Sequence, residues 1–242
     1  MKKNTRKIAL FLILFAGISA YSFGESIFTT SIGINRLYEK YPDEDIGRDL
    51  DGITLDLTLI NFIGKSRFGW YVKTILGTQT GGVEWHGQDI VSIATNSSTD
   101  IRLSAGASFA LRPGSKIRIP ISIGPVVANY REETYYSGYD FFLDGDHYYE
   151  YSNVTGYFEA LSVGGLADVS IVFIPRKNLA LTTGITATYD FLRWEKGSSE
   201  NSARNVSAGK FEKVKYNSIK VGLYFGVGFK FDNSKSRDKD DD

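Results

Sequence analysis

The chain contains two imidazole groups, His86 and His147, and both lie among carboxylates. Histidine and acidic residues together can bind a metal ion or transfer a proton. The acids nearest in sequence are Asp89, Asp144, Asp146 and Glu150. Their spacing matches no diagnostic metal-ligand pattern, and the polarity of the long connections in which they fall explains them as well. We therefore predict no metal site and no cofactor.

Catalytic motifs are absent from the sequence: no GxSxG, P-loop or HExxH segment occurs. A Ser–His–acid site would need one of the two histidines, and no particular serine can be selected as its partner. The Asp–Gly pairs in DGITLD and FLDGDHYYE do not fit the spacing of a calcium loop with its terminal Glu, so turn formation explains them better. We predict no catalytic residue and no enzymatic activity, with a lipid-modifying or proteolytic enzyme as the alternative.

Composition excludes further classes of protein. The 28 basic and 28 acidic residues cancel, whereas a nucleic-acid binder needs a basic face. The absence of cysteine excludes disulfides, iron–sulfur clusters, thiolate zinc sites and a lipoprotein anchor.

Residues 1–24 have the three-part pattern of a secretory signal peptide. Four basic residues up to Lys7 precede an apolar run, Ile8–Phe15, and small residues follow. The run is well short of the ~20 residues of a membrane-spanning helix. Ser22 and Gly24 suit the −3 and −1 positions of a Sec-type cleavage site, and cleavage after Ala20 is the competing choice. The mature chain would begin near Glu25 with 24 basic and 28 acidic residues.

The rest of the chain alternates between large apolar and small or polar residues, which is the period of a β-strand. The last segment is the clearest, because seven consecutive odd positions from Ile219 to Phe231 are large and apolar. It is longer than the ~5–6 residues of an ordinary strand. Eight segments share the pattern: Ile27–Tyr38, Leu50–Ile60, Arg67–Gly77, Thr99–Leu111, Ile117–Tyr130, Val154–Phe173, Leu179–Trp194 and Lys215–Phe231.

Short and long connections alternate strictly between these segments. NFIGKS, RPGSK and IPRKN are short, whereas the longest connections are about Thr78–Ser98, Arg131–Asn153 and Glu195–Val214. Outer-membrane barrels show this asymmetry, with short periplasmic turns and long external loops. We predict an all-β, eight-stranded, antiparallel, up-and-down transmembrane barrel over residues 25–231, followed by a charged, disordered periplasmic tail at 232–242.

The signal peptide, eight amphipathic strands, alternating connections and final GFKF resemble the small bacterial outer-membrane barrels of the OmpA/OmpX/OmpW type. The resemblance is one of architecture and covers the whole mature chain. It implies an outer-membrane location and an assembly signal at Phe229 and Phe231, read by the barrel-assembly machinery. In that family Phe usually ends the chain, whereas here eleven residues follow Phe231.

In such a barrel the apolar face meets lipid and the polar face lines a narrow interior. Buried charges there need partners. We expect Asp56 and Lys73 to be cross-strand neighbours, and we place Arg118 and Asp168 towards the turn end. The alternatives are a charged gate on a narrow ion path and a salt-bridged plug. The predicted interior charges are Asp56, Lys73, Arg102, Arg118, Asp168, Asp190 and Lys220.

The connection around residues 131–153 is rich in aromatic residues and acids. Tyrosine gives a large contact area with little loss of conformational freedom, which suits recognition of a ligand. An equal alternative is that the tyrosines form an aromatic girdle at the headgroup level or cap the mouth of the barrel. The candidate recognition residues are Tyr135, Tyr136, Tyr139, Phe141, Phe142, Tyr148 and Tyr149.

The fifth predicted strand contains two prolines, Pro120 and Pro125. Proline donates no ladder hydrogen bond, and a closed barrel has no edge on which to place it. The pair could leave a lateral gap for a lipid or small apolar molecule, or each proline could sit at a bulge.

Three functions follow from these patterns. The leading one is a monomeric, non-enzymatic surface protein in envelope integrity or adhesion, with outer-membrane lipid, the assembly machinery and a host or envelope ligand as partners and no nucleic acid. The second is a narrow channel or lateral conduit for small or hydrophobic solutes. The third is a secreted, lipocalin-like barrel with inverted faces, whose large side chains would overfill the interior.

Overall fold

The computed structural model describes residues 24–40, 47–64, 66–86, 90–141, 148–197, 210–214 and 217–232. The predicted signal segment before Gly24, Phe142, His147 and the tail after Asp232 lie outside them. No helix among the described residues is long and apolar enough to cross a membrane. The strands are β1 Gly24–Lys40, β2 Gly47–Ile63, β3 Phe68–His86, β4 Ile90–Leu111, β5 Ile117–Phe141, β6 Tyr148–Arg176, β7 Leu179–Gly197, β8 Glu212–Val214 and β9 Asn217–Asp232.

The strands form one closed antiparallel sheet. Neighbours in sequence pair from β1 to β7, and β9 lies between β7 and β1. The short β8 pairs with the far end of β7, beyond the part that β9 covers, so β8 and β9 together form the eighth barrel strand. This arrangement confirms the predicted eight-stranded up-and-down barrel.

The outward face of the barrel is predominantly apolar and exposed. Phe68, Ile123 and Phe225 are 65%, 66% and 62% exposed, respectively. The outward apolar runs have lengths close to the ~9–11 residues with which a tilted strand crosses a bilayer. Their side chains face outward, whereas the large apolar side chains of a lipocalin-like barrel face inward. The outward runs lie within Phe28–Ile34, Ile53–Ile63, Phe68–Leu76, Ile101–Leu111, Ile117–Val127, Leu161–Phe173, Leu179–Phe191 and Ile219–Phe231.

At the end away from the short turns, each apolar run stops at a polar residue. We call these residues the outer polar ring: Arg36, Asp51, Thr78, Thr99, Asn129, Glu159, Lys196 and Asn217. Arg36 Nε lies 2.6 Å from Asp51 Oδ1, and Lys196 Nζ lies 2.7 Å from Glu159 Oε2. Hydrogen bonds from these cations hold the pKa of Asp51 and of Glu159 below the usual range. Charged pairs of this kind belong in water or headgroups, so the ring marks the limit of the hydrocarbon.

Four strands continue well past this ring. β3 runs to His86, β4 begins at Ile90, β5 runs to Phe141 and β6 begins at Tyr148. The prediction of long loops over 78–98 and 131–153 is therefore wrong for most of their length, and His86 ends a strand. The backbones pair there although polar residues and tyrosines occupy both alternate sets, so no alternation reveals the strands. We call residues 79–86, 90–98, 130–141 and 148–158 the protruding sheet.

The apolar band can be tested by placing one charge in the middle of the band and another at its edge, on the same strand. We expect Ile123→Lys to lower the free energy of unfolding in lipid vesicles by about 2–4 kcal/mol, and Asn129→Lys in the outer polar ring by less than about 1 kcal/mol. Urea titration followed by tryptophan fluorescence measures both. Equal, small effects would mean that this face meets water.

Candidate functional site

The middle of the barrel is filled by a group that we call the central cluster: Lys73, Asp56, Asp168, Thr186 and Tyr224. Lys73 Nζ donates to Asp168 Oδ2 and to Thr186 Oγ1, each at 2.6 Å, and lies 3.2 Å from Asp56 Oδ2. It also lies 4.0 Å from the centre of the Tyr224 ring. Lys73 is fully buried, so its positive charge must be balanced by the neighbouring carboxylates.

The contact between Lys73 and Asp168 crosses the barrel, because β3 and β6 are not neighbours in the sheet. Asp168 therefore lies at the middle of the interior, whereas the sequence analysis places it towards the turn end. Tyr224 Oη donates to the same carboxylate at 3.0 Å. Gly184 provides the space for that ring, since a Cβ there would lie 2.6 Å from Tyr224 Oη.

A second group, the outer cluster, consists of Arg102, Asp100, Asp190 and Lys220. Arg102 Nε donates to Asp100 Oδ2 at 2.6 Å, and its Nη1 donates to Asp190 Oδ1 at 3.0 Å. Lys220 Nζ donates to both oxygens of Asp100 at 2.9 Å. The side chains of Asp100 and Lys220 lie over Gly77, where a Cβ would come within 2.1 Å of Asp100 Oδ1. Asp100 is absent from the predicted interior charges, although it shares the even positions of β4 with the inward-facing Arg102.

A cavity of about 20 Å³ lies between the two clusters, lined by Asn35, Thr54, Asp56 and Lys220 among others. Asp56 Oδ1 and Asn35 Nδ2 are buried without a hydrogen-bond partner. A space of this size with two unsatisfied polar atoms suits a single water molecule.

Towards the short turns, buried apolar side chains become more frequent in the interior. They are Ile27, Ile60, Phe62, Tyr71, Ala110, Val172, Ile174 and Ala180. Buried Ser108 and Thr182 lie at the same end. Closer to the turns, Arg118 Nε donates to Glu25 Oε1 at 2.8 Å, and its Nη1 donates to the carbonyl oxygens of Gly114 and Ile117. An ion crossing the barrel would have to pass these apolar side chains, which is unfavourable.

At the opposite mouth Arg193 is surrounded by acids and an aromatic ring. It contacts Glu39 through Nη1 and Glu195 through Nε, at 2.5 and 2.7 Å, and its guanidinium lies 5.2 Å from the centre of the Tyr130 ring. Tyr130 Oη donates to Glu132 Oε2 at 2.5 Å. A change of register in the β6–β7 pairing between Val163 and Gly164 puts Arg193 and Glu195 inside.

The aromatic residues predicted to recognise a ligand lie on the protruding sheet. In the β5–β6 pairing Tyr135 is opposite Thr155, Tyr139 is opposite Glu150, and Phe141 is opposite Tyr148. Strand pairing thus brings the two halves of the tyrosine-rich segment together. Tyr136 and Tyr149 also lie on these paired strands.

Strand pairing resumes on both sides of each proline. The β4–β5 pairs on both sides of Pro125, Ser104↔Val126 and Ala107↔Ile123, keep one register. The register beside Pro120 is likewise unshifted in the β5–β6 pairing. The backbone thus shows an interrupted ladder without a bulge at either proline, and the lateral passage of a small apolar molecule stays a prediction.

The remaining predicted residues have simple positions. Phe229 and Phe231 face outward on β9 near the turn end, 57% and 49% exposed. His86 ends β3, and its predicted neighbours Asp89, Asp144 and Asp146 lie outside the described residues. Within the described ranges, no group of three His, Cys, Asp or Glu residues could hold a metal ion.

The central cluster gives a stability prediction. Lys73→Met leaves Asp56 and Asp168 buried without their cation, and we expect a loss of about 3–5 kcal/mol in the free energy of unfolding. The triple variant Lys73→Met, Asp56→Asn, Asp168→Asn removes all three charges and should recover most of it. Lys230→Met, at the partly exposed turn end, is the matched control. Urea unfolding in vesicles that shows equal losses for the single and triple variants would contradict the cluster.

Comparisons with known proteins concern the fold alone. No protein-family model matches the chain, and no curated protein matches it. The attachment invasion locus protein Ail of Yersinia pestis is similar in structure at 13% identity, over 86% of this chain and 99% of that one, with a TM-score of 0.37. OprG of Pseudomonas aeruginosa is similar at 12% identity, over 87% and 97% of the two chains, with a TM-score of 0.40. The Escherichia coli outer membrane protease OmpT is similar at 8% identity, over 87% and 97%, with a TM-score of 0.46. These three proteins are bacterial outer-membrane proteins, and the likeness to them is one of fold.

Proposed function

We propose that this chain is an outer-membrane surface protein without enzymatic activity, which recognises a ligand on a host cell or on the envelope through its protruding sheet. The observation that carries the proposal is the length of β5 and β6. Beyond Asn129 of the outer polar ring, β5 continues to Phe141, about 40 Å of strand at ~3.4 Å per residue. A barrel whose strands only crossed the membrane would need no such extension.

The composition of this sheet suits recognition. The segment 129–160 contains seven acidic residues, one basic residue and many tyrosines. Tyrosine supplies rigid contact area, and the acidic excess favours a basic partner surface. An aromatic girdle accounts less well for these tyrosines, because their strand positions lie beyond the ring that limits the hydrocarbon.

Among the described residues, the sheet also has two edges along which the pairing with the next strand ends. β2 pairs with β3 only as far as Thr80, and β7 pairs with β6 only from Phe158. Among the described residues, 81–86 and 148–157 therefore have a strand on one side alone. Such edges can accept an added strand from a partner, with main-chain hydrogen bonds providing affinity.

Recognition can be tested by shortening one hairpin. Replacing residues 135–155 with Asn-Gly joins β5 to β6 at the paired Thr134 and Gly156. We expect at least about a tenfold loss in the retention of fluorescent vesicles carrying the protein on a cell layer, because the acidic contact surface is removed. Removal of residues 200–209 from a different connection is the control. Unchanged retention of the shortened protein, with heat-modifiable gel migration showing a folded barrel, would refute the proposal.

The channel alternative predicts a different result. Among the described residues, the apolar side chains near the turns and the paired charges of the two clusters narrow the interior, so we expect no discrete conductance steps in planar bilayers in which a large porin conducts. Reproducible steps that change in size with Lys73→Met would establish the ion path instead.

A further inference from the structure

The short turns carry a strong positive charge. Residues 64–67, 112–116 and 175–178 contain six basic residues and no acidic residue, in contrast to the acidic segment at the opposite end. The side chains of Arg67, Lys116, Arg176 and Lys177 are exposed, and that of Arg112 is half-buried. We call these five residues the basic arc.

Hydrogen bonds connect the turns into a continuous rim. Ala110 N donates to the carbonyl of Arg67 at 2.8 Å, and Ile174 N donates to that of Lys116 at 2.7 Å. Arg112 Nη2 donates to the carbonyl of Ser66 at 2.8 Å, which joins two neighbouring turns through a side chain. The basic residues therefore lie side by side around the barrel from β3 to β7, rather than on separate mobile loops.

The acid described beside the arc offsets only a small part of its positive charge. Glu25 is bonded to Arg118 at 2.8 Å and lies 3.5 Å from Lys230, both outside the arc, and of the arc it attracts Arg112. The basic arc thus retains a net positive charge towards solvent or headgroups.

Lipid-facing side chains adjoin the arc. Phe68 follows Arg67 and is 65% exposed, and Leu111 precedes Arg112 and is 42% exposed. Phe173 and Leu179, on either side of the third turn, are 41% and 36% exposed. Cations immediately beyond an apolar band lie at the depth of lipid phosphates, where basic residues attract anionic headgroups.

We propose that the basic arc binds the phosphate groups of anionic phospholipids in the leaflet that surrounds the short turns. The bound lipids would anchor the turn end at a fixed depth. This site is at the opposite end of the molecule from the protruding sheet, and it stands whether or not that sheet recognises a ligand.

The test uses full-length mature protein in nanodiscs of phosphatidylcholine and phosphatidylglycerol. The protein is released from the nanodiscs, and native mass spectrometry counts the lipid molecules that stay bound to it. We expect the wild type to retain phosphatidylglycerol preferentially. Arg67→Glu, Lys116→Glu and Lys177→Glu together should reduce this preference by about tenfold or more, since one basic residue near a charged surface changes affinity about fivefold. The same charge change at three exposed residues near the other end, Arg131→Glu, Lys210→Glu and Lys213→Glu, should leave it intact.

Three results would overturn the proposal. Equal losses in both triple variants would show an effect of net charge alone. A preference for phosphatidylglycerol that appears only after removal of residues 233–242 would assign the arc to the charged tail of this chain. Binding of an anionic polysaccharide without preference for phosphatidylglycerol would assign it to a polymer. If the Glu variant does not fold, the corresponding Gln variant, checked by heat-modifiable migration, gives the same readout.

Discussion

The pairing of β1 with β9 is the interaction on which the rest of the structure depends. It extends from Glu25 opposite Asp232 to Lys40 opposite Asn217 and joins the first strand of the barrel to the last. Lipid offers no hydrogen bonds, so an open sheet would expose a row of unpaired backbone groups to hydrocarbon at a cost of several kcal/mol each. Closure removes this penalty and fixes which side chains face lipid and which face inward.

Closure with eight strands also makes the interior narrow, and its contents follow from that constraint. Polar positions on opposite walls come within hydrogen-bonding reach, as Lys73 and Asp168 do. A charge in this space must be neutralised by a partner, and each long side chain needs a small residue beside it, as at Gly77 and Gly184. The same narrowness allows the apolar side chains near the turns to narrow the lumen.

Much of the fold was predictable from the sequence because membrane strands obey a simple rule of alternation. The strand number, the two faces and the positions of residues such as Lys73 and Arg102 follow from local patterns. The partner of Lys73 across the barrel, Asp168, could not be predicted from local patterns. The height of β3 relative to β6 depends on the registers of all the strand pairs between them. Arg193 and Glu195 were missed because one irregularity in the β6–β7 pairing exchanges the inward and outward sets.

The protruding sheet was missed for a different reason. Outside the membrane both faces of a sheet can meet water, so the sequence of β5 beyond Asn129 carries no alternation that separates a strand from a polar loop. Backbone pairing alone defines these strands, and it depends on neighbours that are distant in sequence. The part of the molecule that we propose to recognise a ligand is therefore the part for which local patterns are least informative.

The central claim is that an apolar band spans the bilayer while β3 to β6 extend beyond it. Fluorescence quenching by lipids brominated at mid-chain tests it most directly, in variants that retain only Trp70 or only Trp85. Trp70 lies within the apolar run of β3, and Trp85 lies in the protruding part of the same strand. We expect strong quenching of Trp70 and none of Trp85, whereas equal quenching of the two, or no quenching of Trp70, would contradict the account.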